Sequence, residues 1–166
     1  MDTPQVQQAS IDTHSLPLAL RLLRATVVEP WESVNQVLAE HGDAGLGDSL
    51  TAGTGAWHLR HIVEIFRLHA GTVMAALGDA KSAELMTRPS DPIPRNAAWS
   101  VRAARDELLA DVDVFAAWLL KQPPESLGQS FEYGPSMDLT RMFSVMLQHI
   151  TWHAAAVHYW RKWKGE

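Results

Sequence analysis

Cysteine is absent from the 166-residue sequence. Its absence excludes disulfide bonds, cysteine-ligated zinc, iron–sulfur clusters and a thiol nucleophile supplied by the protein. A chain without cysteine is compatible with a reducing cytoplasm. The first residues, Met1 to Gln5, are polar and do not form the basic and apolar regions of a signal peptide. We therefore expect a cytoplasmic protein.

An excess of basic charge is also missing, since 19 acidic residues outnumber 14 basic ones and the net charge is -5. This balance gives no electrostatic reason to expect binding to nucleic acid. The stretch from Met142 to Trp160 contains no charged side chain and is as long as a membrane-spanning helix. It does contain Gln148, Thr151 and three histidines, so we expect a helix buried among other helices and no membrane contact.

Several catalytic motifs are lacking. None of the eight histidines follows a glutamate by three residues, which argues against a ferritin-like di-iron site. The His-Glu-x-x-His motif of zinc proteases, a glycine-rich phosphate loop and the Gly-x-Ser-x-Gly motif are absent as well. Any chemistry must therefore come from another set of residues.

No segment has a convincing strand pattern, whereas four long segments have helical periodicity. The sequence predicts an all-α fold: a single four-helix bundle domain over residues 1–166, with 1–13 as a loose N-terminal tail. The helices are expected at 15–40, 54–77, 97–121 and 139–163. Ser15 is the expected cap of the first helix, and Pro30 should kink or split it.

A long crossover is predicted between the second and third helices. Pro89, Pro92 and Pro94 forbid a regular helix there, although a short helical turn is expected near 82–86. Such a connection lets two successive helices run in the same direction. The link at 129–138 is expected to be irregular, with a turn at Gly134-Pro135.

Two histidines on the fourth helix suggest a metal site. His149 and His153 are one helical turn apart, a spacing that lets both bind one ion. They lie on an apolar stripe with Met142, Met146, Ala156 and Trp160. The third expected ligand is His61, because its stripe on the second helix also contains Trp57, Ile65, Leu68 and Thr72. Three imidazoles leave a coordination position open, which is typical of catalytic sites.

Other interpretations of the histidines remain open. His58 lies on the face adjacent to His61 and is the alternative third ligand. Each core imidazole could instead bond a backbone carbonyl or a glutamate and bind no metal. The remaining histidines are expected to be exposed or locally bonded: His14, His41, His69 and His158.

Four neighbouring residues are candidates for a substrate pocket, although the sequence assigns no catalytic role. Trp57 and Trp152 could line such a pocket, or fill the core as Trp31 and Trp118 are expected to do. Arg60 could pair with an anionic substrate, and Glu64 could accept an imidazole N–H or act as a general base. For both charged residues the alternative is a solvated position on the helix surface.

The chain resembles the DinB-like superfamily at two segments, Trp57-His58-Leu59-Arg60-His61 and Gln148-His149-x-x-x-His153. Together with the expected helices and crossover, the resemblance covers essentially the whole chain. Its members are metal-binding four-helix bundles and include bacillithiol S-transferases and mycothiol-dependent maleylpyruvate isomerases. They carry one histidine early in the second helix and His-x-x-x-His in the fourth. The matching positions here are His61, His149 and His153.

The resemblance implies a divalent metal ion, Zn or Ni, and a homodimer. It further implies an enzyme that activates a low-molecular-weight thiol or water for transfer to a small electrophilic substrate. Imidazole ligands alone would also suit Cu or Fe. Two alternatives are a non-catalytic metal-binding or stress-response bundle, and a bis-histidine haem bundle, for which no Cys-x-x-Cys-His motif is present.

Overall fold

The computed structural model describes residues 11–29, 33–42, 46–48, 50–87, 100–134 and 136–164. This part of the chain is mostly helical, so the prediction of an all-α chain is confirmed at that level. The helices are α1 (Leu16–Val28), α2 (Val34–His41), α3 (Gly55–Ala76), α4 (Ala80–Thr87), α5 (Val101–Leu119) and α6 (Leu139–Lys164). The strands β1 (Phe131–Glu132) and β2 (Ser136–Met137) pair in an antiparallel hairpin.

The first expected helix is two helices, α1 and α2. They are separated around Pro30, which lies outside the described residues, and this break is what a proline within the helical pattern predicts. Ser33 caps α2 by accepting a hydrogen bond from the Gln36 N–H at 3.2 Å. Ser15 occupies the N-cap position of α1 as expected, but its side chain makes no capping hydrogen bond. The Asp12 carboxylate instead accepts the Ser15 N–H at 2.8 Å.

The stretch expected to be a loose tail falls mainly on residues 1–10, outside the described part. Of its last residues, Ile11 donates its backbone N–H to the Thr140 hydroxyl at 2.7 Å and packs on the core. The start of the described chain is therefore attached to α6.

The helix α3 is capped as its sequence suggests but presents a different face to the core. Thr54 accepts the Trp57 N–H at 3.2 Å. The predicted core stripe through His61 is wrong, and Leu68 on it is 46% exposed. The centre of the core face lies about 160° around the helix from that stripe, nearly on the opposite side. It consists of Ala56, Leu59, Ile62, Val63, Phe66, Ala70, Val73 and Met74.

The helix α3 packs against α4, α5 and α6, and α1 packs against α5 and α6. Buried residues from all six helices join one hydrophobic cluster. At Gly71 the contact between α3 and α4 is so close that a Cβ atom would lie 2.5 Å from Thr87 Cγ2. The adjacency of α3 and α6 is what positions the histidines.

The connection from α3 to α5 contains α4, which is longer than the short turn expected at 82–86. The rest of this crossover, with its three prolines, lies outside the described residues. The expectation of no strand is wrong for the hairpin, whose two-residue strands are too short to give an alternating sequence pattern. Among the described helices, none combines the length and apolar character that a bilayer span requires.

Candidate metal centre

Three imidazoles from α3 and α6 converge at the contact between these helices. His61, His149 and His153 each offer a ring nitrogen, and these three atoms lie within 4.8 Å of one another. His61 Nε2 and His149 Nε2 are 3.1 Å apart. Two nitrogens bound tetrahedrally to one zinc ion would be about 3.3 Å apart. The donor atoms and their spacing therefore fit a small divalent cation.

His58 is held against this group by a hydrogen bond to His153. Their Nδ1 atoms are 2.7 Å apart, and both side chains are buried. This distance suits a hydrogen bond better than two ligands of one ion, and one of the two nitrogens must carry the proton. The sequence offered His58 as an alternative to His61, whereas the structure brings His61 to the other two candidates and makes His58 the partner of His153.

The two candidate pocket tryptophans differ in their surroundings. Trp57 is half-buried and stacks on His61 with ring centroids 4.9 Å apart and planes 7° apart. Trp152 is 64% exposed, so its expected role as a core filler is wrong. Its ring still meets His153 edge-on, with centroids 4.6 Å apart. It lies on the outer side of α6, because the core side is occupied by smaller side chains such as Ala154.

Of the other two tryptophans expected in the core, Trp31 and Trp118, only Trp118 is among the described residues. Trp118 is half-buried and packs against the hydrophobic core, and its indole Nε1 donates to Asp79 Oδ2 at 2.9 Å.

The charged candidates Arg60 and Glu64 bond to each other. Arg60 Nε donates to Glu64 Oε1 at 2.7 Å, and the Glu64 side chain is half exposed. The two residues are one turn of α3 apart. Only 15% of the Arg60 side chain is exposed, so the alternative of a solvated surface position is wrong for Arg60. Burial lowers the pKa of His61, and the Glu64 charge offsets part of this lowering, so the net effect is a lowered pKa.

His69 is the member of this region that the sequence did not indicate. It was expected to be exposed or locally bonded, and this is wrong, because it is only 3% exposed. Its ring centroid lies 5.9 Å from that of His149 and 5.3 Å from that of Tyr133. Within the described chain, neither of its ring nitrogens has a hydrogen-bond partner. The signal was available, since His58 and His69 share the core face of α3 once its phase is known.

The remaining histidines are outside the cluster. His158 Nδ1 lies 2.7 Å from Glu40 Oε2, so this side chain joins α6 to α2 rather than bonding locally. His14 is exposed, as expected. The side chain of His41 is not among those described.

Burial keeps the clustered imidazoles neutral. It lowers the pKa of His153 to about 3, with further lowering by His149, His61 and His58. Burial also lowers the pKa of His69 to about 4, with smaller effects from His149 and His61. The pKa values of His58, His61 and His149 are lowered as well, chiefly by burial. Neutral imidazole is the form that binds metal ions, so no imidazole of the cluster has to lose a proton before it binds a cation at neutral pH.

A groove on α6 reaches the edge of the cluster. Its volume is about 700 Å³, and His149 belongs both to it and to the group of three imidazoles. The groove is mainly apolar, and Trp152 is part of its wall. Its described lining residues are Val145, Leu147, Gln148, His149, Thr151, Trp152 and Ala155.

Comparison with known protein families, with curated proteins and with solved structures gives no match for this chain.

Proposed function

We propose that this chain is a DinB-type four-helix bundle that binds one divalent metal ion, Zn or Ni, through His61, His149 and His153. The observation that carries the proposal is the convergence of three imidazole nitrogens within 4.8 Å. In this bundle α1 and α2 together form the first helix, and α3, α5 and α6 form the other three. The helix α4 belongs to the crossover between the second and third.

The reaction we propose is the activation of a low-molecular-weight thiol or water for transfer to a small electrophilic substrate. A bound divalent ion supplies this chemistry by lowering the pKa of such a group towards neutrality. The protein needs no cysteine for it, because the thiol arrives as a cosubstrate. A cytoplasmic homodimer completes the proposal.

The residues of the chain have distinct tasks in this proposal. The three imidazoles bind the ion in their neutral form, as their lowered pKa values allow. Trp57 covers one face of His61 and excludes water from it. The apolar groove with Trp152 in its wall admits a small molecule to the side of the cluster where His149 lies.

The ion pair of Arg60 with Glu64 favours a second candidate function, a non-catalytic metal-binding or stress-response bundle. Arg60 Nε bonds to Glu64 within α3, so this ion pair forms without a substrate. A bis-histidine haem is disfavoured, because 3.1 Å between His61 Nε2 and His149 Nε2 leaves no space for a porphyrin between them.

The test is the metal content of protein purified without an affinity tag, measured by elemental mass spectrometry. We expect about one ion per chain, as for a single three-histidine site, and loss of the ion in His149→Ala and His153→Ala. His158→Ala is the matched control, because it removes a histidine of the same helix that pairs with Glu40 instead. Full metal content in the variant lacking both His149 and His153 would contradict the proposal.

A further inference from the structure

His69 has unused hydrogen-bonding capacity in the interior of the protein. A neutral imidazole has one N–H donor and one nitrogen acceptor, and buried polar atoms are almost always bonded. Both His69 nitrogens are inaccessible to bulk water and have no partner within the described chain. Leaving them unpaired lowers the stability of the folded state. Such a group needs a partner other than the described residues, and a bound ligand can supply it.

The surroundings of His69 indicate where that partner binds. On one side the ring faces His149, with planes at 74°, and on the other it meets the edge of Tyr133, in the turn between β1 and β2. His69 is not among the three residues whose donor atoms lie within 4.8 Å of one another. Its imidazole therefore lies just outside the ligand set, beside a residue that also borders the groove on α6.

We propose that His69 binds a small anionic ligand at the edge of the metal centre, donating a ring N–H to it. This inference rests on the proposed metal site. The chemistry favours an anion for two reasons. The imidazoles around His69 are neutral and do not repel it, and a divalent cation bound in the proposed metal site would attract it. We choose a ligand of a few atoms, the size of a thiolate head or a triatomic anion, because both nitrogens are buried and a larger ligand would displace more of the surrounding side chains.

The experiment uses the full chain loaded with Co²⁺, whose visible absorption reports a change of ligands, and sodium azide as the probe. Azide is titrated into the wild type, His69→Leu and His69→Gln. His69→Leu removes both ring nitrogens, whereas His69→Gln keeps an N–H donor and an oxygen acceptor. His158→Leu is the matched control, since it makes the same substitution at a histidine that pairs with Glu40.

We expect His69→Leu to weaken azide binding by about tenfold or more, the effect of losing one hydrogen bond to a charged group. His69→Gln should restore part of the affinity, and His158→Leu should behave as the wild type. The Co²⁺ affinity of His69→Leu should stay within roughly threefold of the wild type, because His69 is outside the ligand set. The metal-free form of His69→Leu should melt at a higher temperature, because an apolar group replaces an unpaired polar one.

Three results would overturn the inference without contradicting metal binding by the wild type. They are unchanged azide affinity in His69→Leu, loss of Co²⁺ from His69→Leu alone, and absence of any azide-dependent change in the Co²⁺-loaded wild type. Failure of the wild type to bind Co²⁺ at all would overturn both this inference and the proposed function.

Discussion

The two ring nitrogens of His153 have different surroundings. Nδ1 lies 2.7 Å from Nδ1 of His58, within a buried hydrogen bond. If Nδ1 of His153 carries the proton and donates this N–H to Nδ1 of His58, the Nε2 atom of His153 keeps a free electron pair that can bind an ion. Histidines that bind metals usually donate their other N–H to a carboxylate, a backbone carbonyl or water, which fixes the tautomer and the ring orientation. In the proposed metal site His58 would be the acceptor of this N–H and a positioning residue for His153.

The role of His58 can be separated from that of a ligand. We expect His58→Phe to lower metal affinity by about 10- to 100-fold without changing the stoichiometry at saturating metal. His58→Asn should lose less, because its amide oxygen can still accept the His153 N–H. Affinity is measured by competition with a chromogenic chelator, with His158→Phe as the control. Loss of all binding in both His58 variants would mean that His58 is itself a ligand.

At the same scale, the sequence predicted some site residues better than others. The four-residue spacing of His149 and His153 is visible in the sequence, and the structure brings them together. The positions of His58 and His69 were not predicted, because they depend on which face of α3 is buried. The exposure of Trp152 was not predicted either, because a large aromatic ring beside a core histidine looks like a core residue until its neighbours are known.

At the scale of elements, the existence of the helices was predicted, but the rotation of α3 was not. Thr54, the expected start of the second helix, caps α3. Ser33 caps α2, a helix start that was not predicted. The rotation of α3 was predicted wrongly, because Trp57, Ile65 and Leu68 share the stripe of His61, although more apolar residues lie on the opposite face. The rotation of α3 is the one that buries Leu59, Ile62 and Phe66, and α4, α5 and α6 are the helices against which α3 packs.

The contact between α3 and α5 includes an ion-pair network that should contribute strongly to stability. Arg67 is 12% exposed and donates to Asp111 Oδ2 and Glu107 Oε1, each at 2.7 Å. We expect Arg67→Ala to cost about 3 kcal/mol in the free energy of unfolding, because two largely buried carboxylates lose their partner. Urea denaturation gives the value.

The control for this network is an exposed pair between α1 and α5. Arg24 Nε lies 3.1 Å from Asp113 Oδ1, and about half of each side chain is exposed. Arg24→Ala should cost only about 0–1 kcal/mol, because solvent screens the pair. Equal losses in the two variants would show that burial does not strengthen the Arg67 network.

At the scale of the whole molecule, the histidine cluster links distant parts of the chain. His61 and His149 are 88 positions apart in the sequence. An ion bound to both would stabilise the folded state, because the unfolded chain cannot hold three separated imidazoles in one geometry. Without the ion, the same imidazoles are buried neutral groups whose protonation opposes folding. The stability of the metal-free protein should therefore depend on pH.

The direction of this dependence follows from the lowered pKa values. Burial holds the pKa of His153 at about 3 and that of His69 at about 4, whereas an unfolded histidine titrates near pH ~6.5. Below about pH 6.5 the unfolded chain therefore binds protons that the folded chain does not, and stability falls as the pH is lowered towards 3–4. We expect the melting temperature of the chelator-treated protein to fall between about pH 7 and pH 5, where most carboxylates are still ionised. The melting temperature of His69→Leu should fall less steeply over this pH interval, because one buried group that resists protonation has been removed. Parallel melting curves for the wild type and His69→Leu would show that His69 is protonated as easily in the folded protein as in the unfolded chain.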